Sequence, residues 1–242
     1  MKNKPRIAVI LDENTSGDAT RYEAAKAYFT AIRDAGGLPL GVPYLPEIVG
    51  LVVEEFDGLL CAGGRFAYPD DWYLEGKVSQ APQSERFPVE CQIVEGYLTR
   101  DKPILGICAG MQLLGCVNGC RLWSDVRASS PIALEHDKRD YLHRVVLTPH
   151  SRLAGLVRER TILVNTFHRE AIGELSESVV ASARSEDGVI EAIEVPSQSF
   201  ALGLQWHQEQ FAATDHPGNR VFRGLIEACL QSSGGRRARR RR

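Results

Sequence analysis

The segment Pro103-Ile104-Leu105-Gly106-Ile107-Cys108-Ala109-Gly110-Met111-Gln112 runs an apolar strand straight into a Gly-x-Cys-x-Gly turn and then an apolar helix. A side chain on so sharp a strand-to-helix turn sits in strained backbone, and the flanking glycines remove the Cβ atoms that would clash there. The turn pushes the thiol into the open at a helix N-terminus, where unpaired N–H groups and the macrodipole favour thiolate over thiol. This is how a chain presents a cysteine as a nucleophile, and Cys108 is the candidate.

A nucleophile needs a base. Ninety-nine residues on, Leu202-Gly203-Leu204-Gln205-Trp206-His207-Gln208-Glu209 is a second apolar strand, ending in His-x-Glu. Residues two apart in a strand project to one side, about 6.6 Å apart along it. Read as strand, Glu209 receives one imidazole N–H while the other ring nitrogen of His207 faces the thiol, giving nucleophile, base and orienting carboxylate.

The rest of the chain supplies a scaffold. Strand patterns at 6–11, 38–42 and 58–61 alternate with helical patterns at 22–35, 46–56 and 89–99; in the first helix Tyr22, Ala25, Phe29 and Ile32 mark the apolar spacing. Alternation of this kind implies α/β architecture in three layers, a mainly parallel central sheet flanked by helices. Short strands at 143–147, 161–164, 179–185, 189–195 and 201–206 and a helix at 215–231 complete it. Residues 65–87 form a long polar stretch without a period, of the kind used as a lid or binding element, and 124–139 form a second excursion. Ligands bind beyond the carboxyl ends of strands in open α/β sheets, so Cys108, His207 and Gly63-Gly64, all following strand ends, are expected on one rim.

The 242 residues, 43% hydrophobic, are enough for one large core and are read as a single domain over 1–232. Six cysteines are too sparse for a disulfide scaffold and are expected as reduced thiols in cytoplasm. Cys116-x-x-x-Cys120 lacks a cluster that would complete a tetrahedral set, and His136, His143, His150 and His216 sit in charged or turn-rich contexts, so these are read as surface or structural residues and no metal is expected. No apolar run approaches the ~20 residues that cross a bilayer, so no membrane partner is expected. The net charge of −2 conceals an arginine-rich end, Arg236, Arg237 and Arg239 to Arg242. Following Gly234-Gly235 it reads as a disordered tail over 233–242, the one part of the chain suited to nucleic acid or anionic lipid.

Five ordered blocks carry a resemblance: Ala62-Gly63-Gly64, Gly106 to Gln112, Val164-Asn165-Thr166-Phe167-His168, Asp187-Gly188-Val189-Ile190-Glu191-Ala192 and Trp206-His207-Gln208-Glu209. Through them the chain resembles the class I glutamine amidotransferase-like hydrolases, in the γ-glutamyl-γ-aminobutyrate hydrolase branch of the C26 peptidases, with a flavodoxin-like fold. The resemblance implies Cys108 as nucleophile, His207 as general base and acid, and Glu209 as its orienting group. It also implies Gly64 and Ala109 as oxyanion N–H donors with Gly63 assisting the turn, Gln112 on the glutamyl α-amino or carboxylate group, and Thr166, Phe167 and His168 beside the substrate. Gln208 stands where the family has proline, Ala62 where a Pro-Gly-Gly turn is usual, and the pattern around Ser84-Glu85-Arg86-Phe87 is altered, which is read as bearing on substrate fit.

The expected reaction is hydrolysis of a small γ-glutamyl amide through a thioester, without metal or organic cofactor, in putrescine or polyamine breakdown if the amine is γ-aminobutyrate. Two alternatives stay open: a glutaminase subunit passing ammonia to a separate synthase, and a non-catalytic binding module of the same fold. Association into a homo-oligomer is also left open.

Overall fold

A computed structural model describes residues 4–13, 21–76, 78–130 and 134–240. Its main sheet has nine strands: β1 Arg6–Ile10, β2 Leu38–Val42, β3 Gly58–Cys61, β4 Ile104–Ile107, β5 Leu142–Leu147, β6 Thr161–Asn165, β7 Val180–Ser185, β8 Ile190–Glu194 and β9 Ala201–Leu204. They lie in the order β2-β1-β3-β4-β9-β8-β7-β5-β6. The first five run parallel. From β9 onward every pairing is antiparallel. The fold is thus the expected three-layer α/β arrangement, with its parallel half extended by four antiparallel strands. Two small ladders missed by sequence reading pair Asp12–Glu13 with Tyr22–Glu23 and Arg121–Trp123 with Ala171–Glu174. Strands of two to four residues carry too few side chains to show a period.

The strands of the parallel half are apolar on both faces because helices cover both. Alternation divides β1, with Ile7 and Val9 entering one hydrophobic cluster and Ala8 and Ile10 the other. Helix α1, Lys26–Asp34, and the final helix α5, Arg220–Arg240, pack on the first cluster. Helices α2 Val49–Glu55, α3 Arg86–Thr99 and α4 Ala109–Val117 pack on the second. Toward the antiparallel edge one face meets water, as β5 alternates exposed and buried residues along its length, whereas β8 is buried throughout.

Two expectations are corrected. The first helix starts at Lys26, not residue 22, and buries Tyr28, Ala31 and Ile32, because Tyr22 is drawn into the small ladder and stays exposed. The stretch 65–87 is not a free lid: Phe66, Tyr68 and Tyr73 are buried, and Phe66, Tyr68, Trp72 and Phe87 form a chain of ring contacts at 5.2–5.8 Å. Aromatic burial anchors this loop as a wall of the site. Beyond Gly234-Gly235 the backbone of the last helix continues through Arg240. Two glycines cost about 1 kcal/mol each, whereas arginine and alanine favour a helix already nucleated by the buried Val221, Phe222, Leu225, Ile226 and Cys229. The last two arginines of the expected tail lie outside the described residues.

Candidate active site

Cys108 joins β4 to α4 with φ 52° and ψ −107°, a conformation few non-glycine residues adopt. Its N–H donates to Leu204 O at 2.7 Å, which ties the turn to β9. A Cβ on Gly106 would sit 2.4 Å from Gly110 O, and one on Gly110 would sit 2.3 Å from Cys61 O. Both clashes are with backbone and cannot be relieved by a rotamer, so the two glycines read from the sequence are sterically required. Only 5% of Cys108 is exposed, yet it borders two adjoining depressions.

His207 follows β9, and its Nδ1 lies 2.8 Å from Glu209 Oε1. The means differ from the strand alternation expected. β9 ends at Leu204, and Gln208–Phe211 forms a 3₁₀ turn that swings Glu209 back beneath the imidazole. Gln208 is fully buried and clamps this turn: its Oε1 accepts from Trp206 Nε1 at 2.8 Å, and its Nε2 donates to Asn219 Oδ1 at 2.9 Å. The constraint that proline would impose through φ is here imposed by side-chain hydrogen bonds. Asn165, not singled out from the sequence as a site residue, grips His207 from the other side. Its Oδ1 accepts from His207 N at 2.8 Å and its Nδ2 donates to His207 O at 3.0 Å.

Burial works against a charged imidazole, but hydrogen bonds to Cys108 and Glu209, with their negative charge, outweigh it and raise the His207 pKa well above the ordinary histidine value. The arrangement favours an imidazolium that is hydrogen-bonded to the Glu209 carboxylate and turned toward Cys108.

Facing Cys108 is the turn Gly63-Gly64. A Cβ on Gly63 would lie 2.7 Å from His207 Cε1, so glycine is needed for the imidazole to fit. Gly63 N–H donates to the Tyr28 hydroxyl at 2.9 Å and is engaged there, whereas Gly64 and Ala109, whose N–H is the first of the helix, line the same depression as Cys108. Burial and the adjacent Glu209 carboxylate push the Tyr28 phenol well up, so it stays protonated.

The turn is held from behind by Arg86, which is fully buried. Its guanidinium donates to Ala62 O at 2.7 Å and Gly63 O at 3.0 Å, and pairs with Glu90 at 2.8 Å and Asp12 at 3.2 Å. Burial opposes its charge, but Glu90 and Asp12 hold it firmly protonated. Arg86 therefore orients the glycine turn, where the sequence reading had linked its segment to substrate fit. The i,i+4 spacing of Arg86 and Glu90 was the available signal. Arg86→Met leaves Glu90 buried without its partner and is expected to cost about 3–5 kcal/mol. Urea unfolding checks this, and a loss below about 1 kcal/mol would contradict the assigned role.

Gln112 lines the depression beside Cys108, its Nε2 donating to Glu170 O at 2.8 Å and Gln205 Oε1 at 3.1 Å. Phe167 sits between the guanidinium groups of Arg65 and Arg139, 5.2 and 4.7 Å from its ring centre. Thr166 is buried, its hydroxyl donating to His136 O at 2.8 Å. His168 borders the depression but turns its ring into a buried cluster with His136 and Glu191. His136 and His143, read as surface or structural from the sequence, are both buried there. Their charged sequence neighbours hid a packing that only strand pairing reveals.

The profile of the peptidase C26 family matches residues 6–209. The γ-glutamyl-γ-aminobutyrate hydrolase PuuD of Escherichia coli K12 is 30% identical over 241 residues, covering 94% of this chain and 94% of that protein. Protein NtpR of Enterococcus hirae is 29% identical over 214 residues, covering 85% of this chain and 87% of that one. In three dimensions a glutamine amidotransferase from Thermotoga maritima superposes with a TM-score of 0.58 at 17% identity, over 95% of this chain and 97% of that one. The family profile spans most of the chain and the relatives are covered nearly end to end: this chain belongs to the peptidase C26 family, hydrolases of the glutamine amidotransferase-like group.

Proposed function

We propose that the protein hydrolyses γ-glutamyl amides whose amine portion carries a carboxylate, using Cys108 as nucleophile. The observation that carries this reading is the strained cysteine turn next to an imidazole steadied by Glu209 at 2.8 Å. The Cys108 thiolate attacks the side-chain carbonyl carbon of the glutamyl group, and the oxyanion forms toward the N–H groups of Gly64 and Ala109. Each such donor is worth about 3 kcal/mol in the transition state. Imidazolium His207 gives its proton to the departing amine nitrogen as the C–N bond breaks, leaving a thioester. Neutral His207 then takes a proton from water, whose oxygen attacks the thioester carbonyl, and glutamate leaves as the thiolate is regenerated.

Gln112, with both amide hydrogens engaged, offers its carbonyl oxygen to the glutamyl α-ammonium. Arg139, 4.7 Å from the Phe167 ring on the rim of the same opening where Arg65 is paired with Asp137, favours an anionic amine such as γ-aminobutyrate, in keeping with the name of the 30%-identical hydrolase. Such an activity belongs to putrescine or polyamine breakdown.

Glutamate release from γ-glutamyl-γ-aminobutyrate, γ-glutamyl-putrescine and glutamine, with no second protein added, tests the reading. The expected order places the carboxylate-bearing amide first. Arg139→Ala is expected to lower its preference over γ-glutamyl-putrescine about 10-fold, the loss of one charge-assisted contact. Glutamine turnover only when a synthase is supplied would transfer the chain to the ammonia-donating alternative.

A further inference from the structure

Behind the loop bearing Thr166, Phe167 and His168 lies a cluster the proposed hydrolysis does not use. His136, His143, His168 and Glu191 are each at least nine-tenths buried, with Glu191 at 0% exposure. They come from four separate places: the segment before β5, β5 itself, the loop after β6, and β8. One strand, β7, lies between β5 and β8.

The hydrogen bonds around the outside of the cluster determine what faces its inside. His136 Nε2 lies 2.8 Å from Asp187 Oδ2. That carboxylate also accepts from Leu134 N and from the Ser185 hydroxyl. Asp187 is thereby held as an anion, so Nε2 carries the proton and Nδ1 of His136 points inward as a lone pair. His168 Nδ1 lies 3.0 Å from the carbonyl oxygen of Glu170, which can only accept, so His168 Nε2 also turns a lone pair inward. These two nitrogens are 3.2 Å apart. Glu191 Oε1 lies 3.3 Å from His136 Nδ1, 3.4 Å from His143 Nε2 and 3.6 Å from His168 Nε2. Neither ring nitrogen of His143 and neither oxygen of Glu191 makes a well-formed hydrogen bond to the described residues.

Electron pairs that converge in a dry interior require a positive centre between them. A proton on His136 Nδ1 would serve His168 and Glu191 but leave both nitrogens of His143 without a partner. A metal ion would serve His143 Nε2 as well, together with His136 Nδ1, His168 Nε2 and Glu191 Oε1. Four ligands at 2.0–2.2 Å in tetrahedral array stand about 3.3–3.5 Å from one another, and the three Glu191 Oε1 to histidine distances and the His136–His168 distance fall at 3.2–3.6 Å. Ligand atoms of His136, His143 and Glu191 all lie within 4.8 Å of one another. The Asp187–His136 pair supplies the carboxylate–histidine support typical of metal-bound imidazoles.

We propose that His136 Nδ1, His143 Nε2 and Glu191 Oε1 bind a divalent transition-metal ion, zinc by the chemistry of the donors, with His168 Nε2 the nearest group for a fourth ligand. The ion acts as a structural tie. It joins β5 and β8 to the loop whose next residues, Arg169 and Glu170, line the depression beside Cys108. No bond is made or broken at it, so the site stands independently of the hydrolytic reading.

The test uses the full chain, stripped with chelator, supplied with Zn²⁺ or Co²⁺ and passed through gel filtration. The wild type is expected to retain one equivalent, and the Co²⁺ form to show the intense visible bands of a tetrahedral site. Cys108→Ala should retain the ion equally, which separates this site from the thiol. His143→Ala and Glu191→Gln should lose it, and Asp187→Asn should bind 10–100-fold more weakly. Wild type emerging without metal would overturn the proposal whether or not any variant folds. So would retention by His143→Ala and Glu191→Gln at the wild-type level, or loss in Cys108→Ala.

Discussion

Cys108→Ala is expected to reduce glutamate release on the order of 10⁶-fold, the scale on which removal of a nucleophile acts when the remaining groups serve it as a unit. The fold should be untouched, since φ of 52° at this position is equally strained for either side chain. Rapid quench with γ-glutamyl-γ-aminobutyrate should show a burst of released amine in the wild type when thioester breakdown is slow, and no glutamyl adduct by mass spectrometry in the variant. A variant with activity within 10-fold of wild type would eliminate sulfur as the attacking atom.

Glu209→Gln is the second large effect, expected near 10⁴-fold in kcat by comparison with the loss of the orienting carboxylate in a serine triad. Glutamine keeps the shape of the 3₁₀ turn but removes the negative charge that, with Cys108, raises the His207 pKa. The sign follows directly. A raised imidazole pKa holds the thiolate–imidazolium pair to higher pH, so the alkaline limb of kcat/KM belongs to loss of the His207 proton. Removing one stabilising anion should move that limb to lower pH. A fall in rate with the limb unmoved would indicate that Glu209 only fills space.

The chemistry of the candidate site was largely legible in the sequence because its key residues sit at element ends, where local pattern is strongest. Apolar runs broken by glycines marked Cys108 and Gly63-Gly64, and His207-x-Glu209 marked the base. What escaped was whatever depends on distant partners. Tyr28 and Arg86 occupy ordinary helical positions, and only packing shows that one binds Gly63 N–H while the other holds the carbonyls of Ala62 and Gly63. Asn165 lay inside a recognised block, yet its grip on the main chain of His207 spans 42 positions. The pairing of His207 with Glu209 was anticipated through the wrong geometry, since strand alternation and a 3₁₀ turn both bring residues i and i+2 within reach. In the fold, alternating strands and helices indicated the layers, but nothing local distinguished the antiparallel extension from further parallel strands. Nor did it reveal that the four residues of the histidine–glutamate cluster meet.

The strands that lead into Cys108 and His207, the proposed nucleophile and base, are immediate neighbours, paired Ile107 to Leu204, and Cys108 N–H itself donates to Leu204 O at 2.7 Å. The aim of imidazole on sulfur is therefore set by interstrand register at the middle of the molecule, not by any flexible connection. A two-residue slip of β9 would carry the ring about 6.7 Å away. Surface segments can lengthen, shorten or change composition to suit different amines while the reacting pair keeps its alignment, so divergence in what is cleaved need not disturb how it is cleaved.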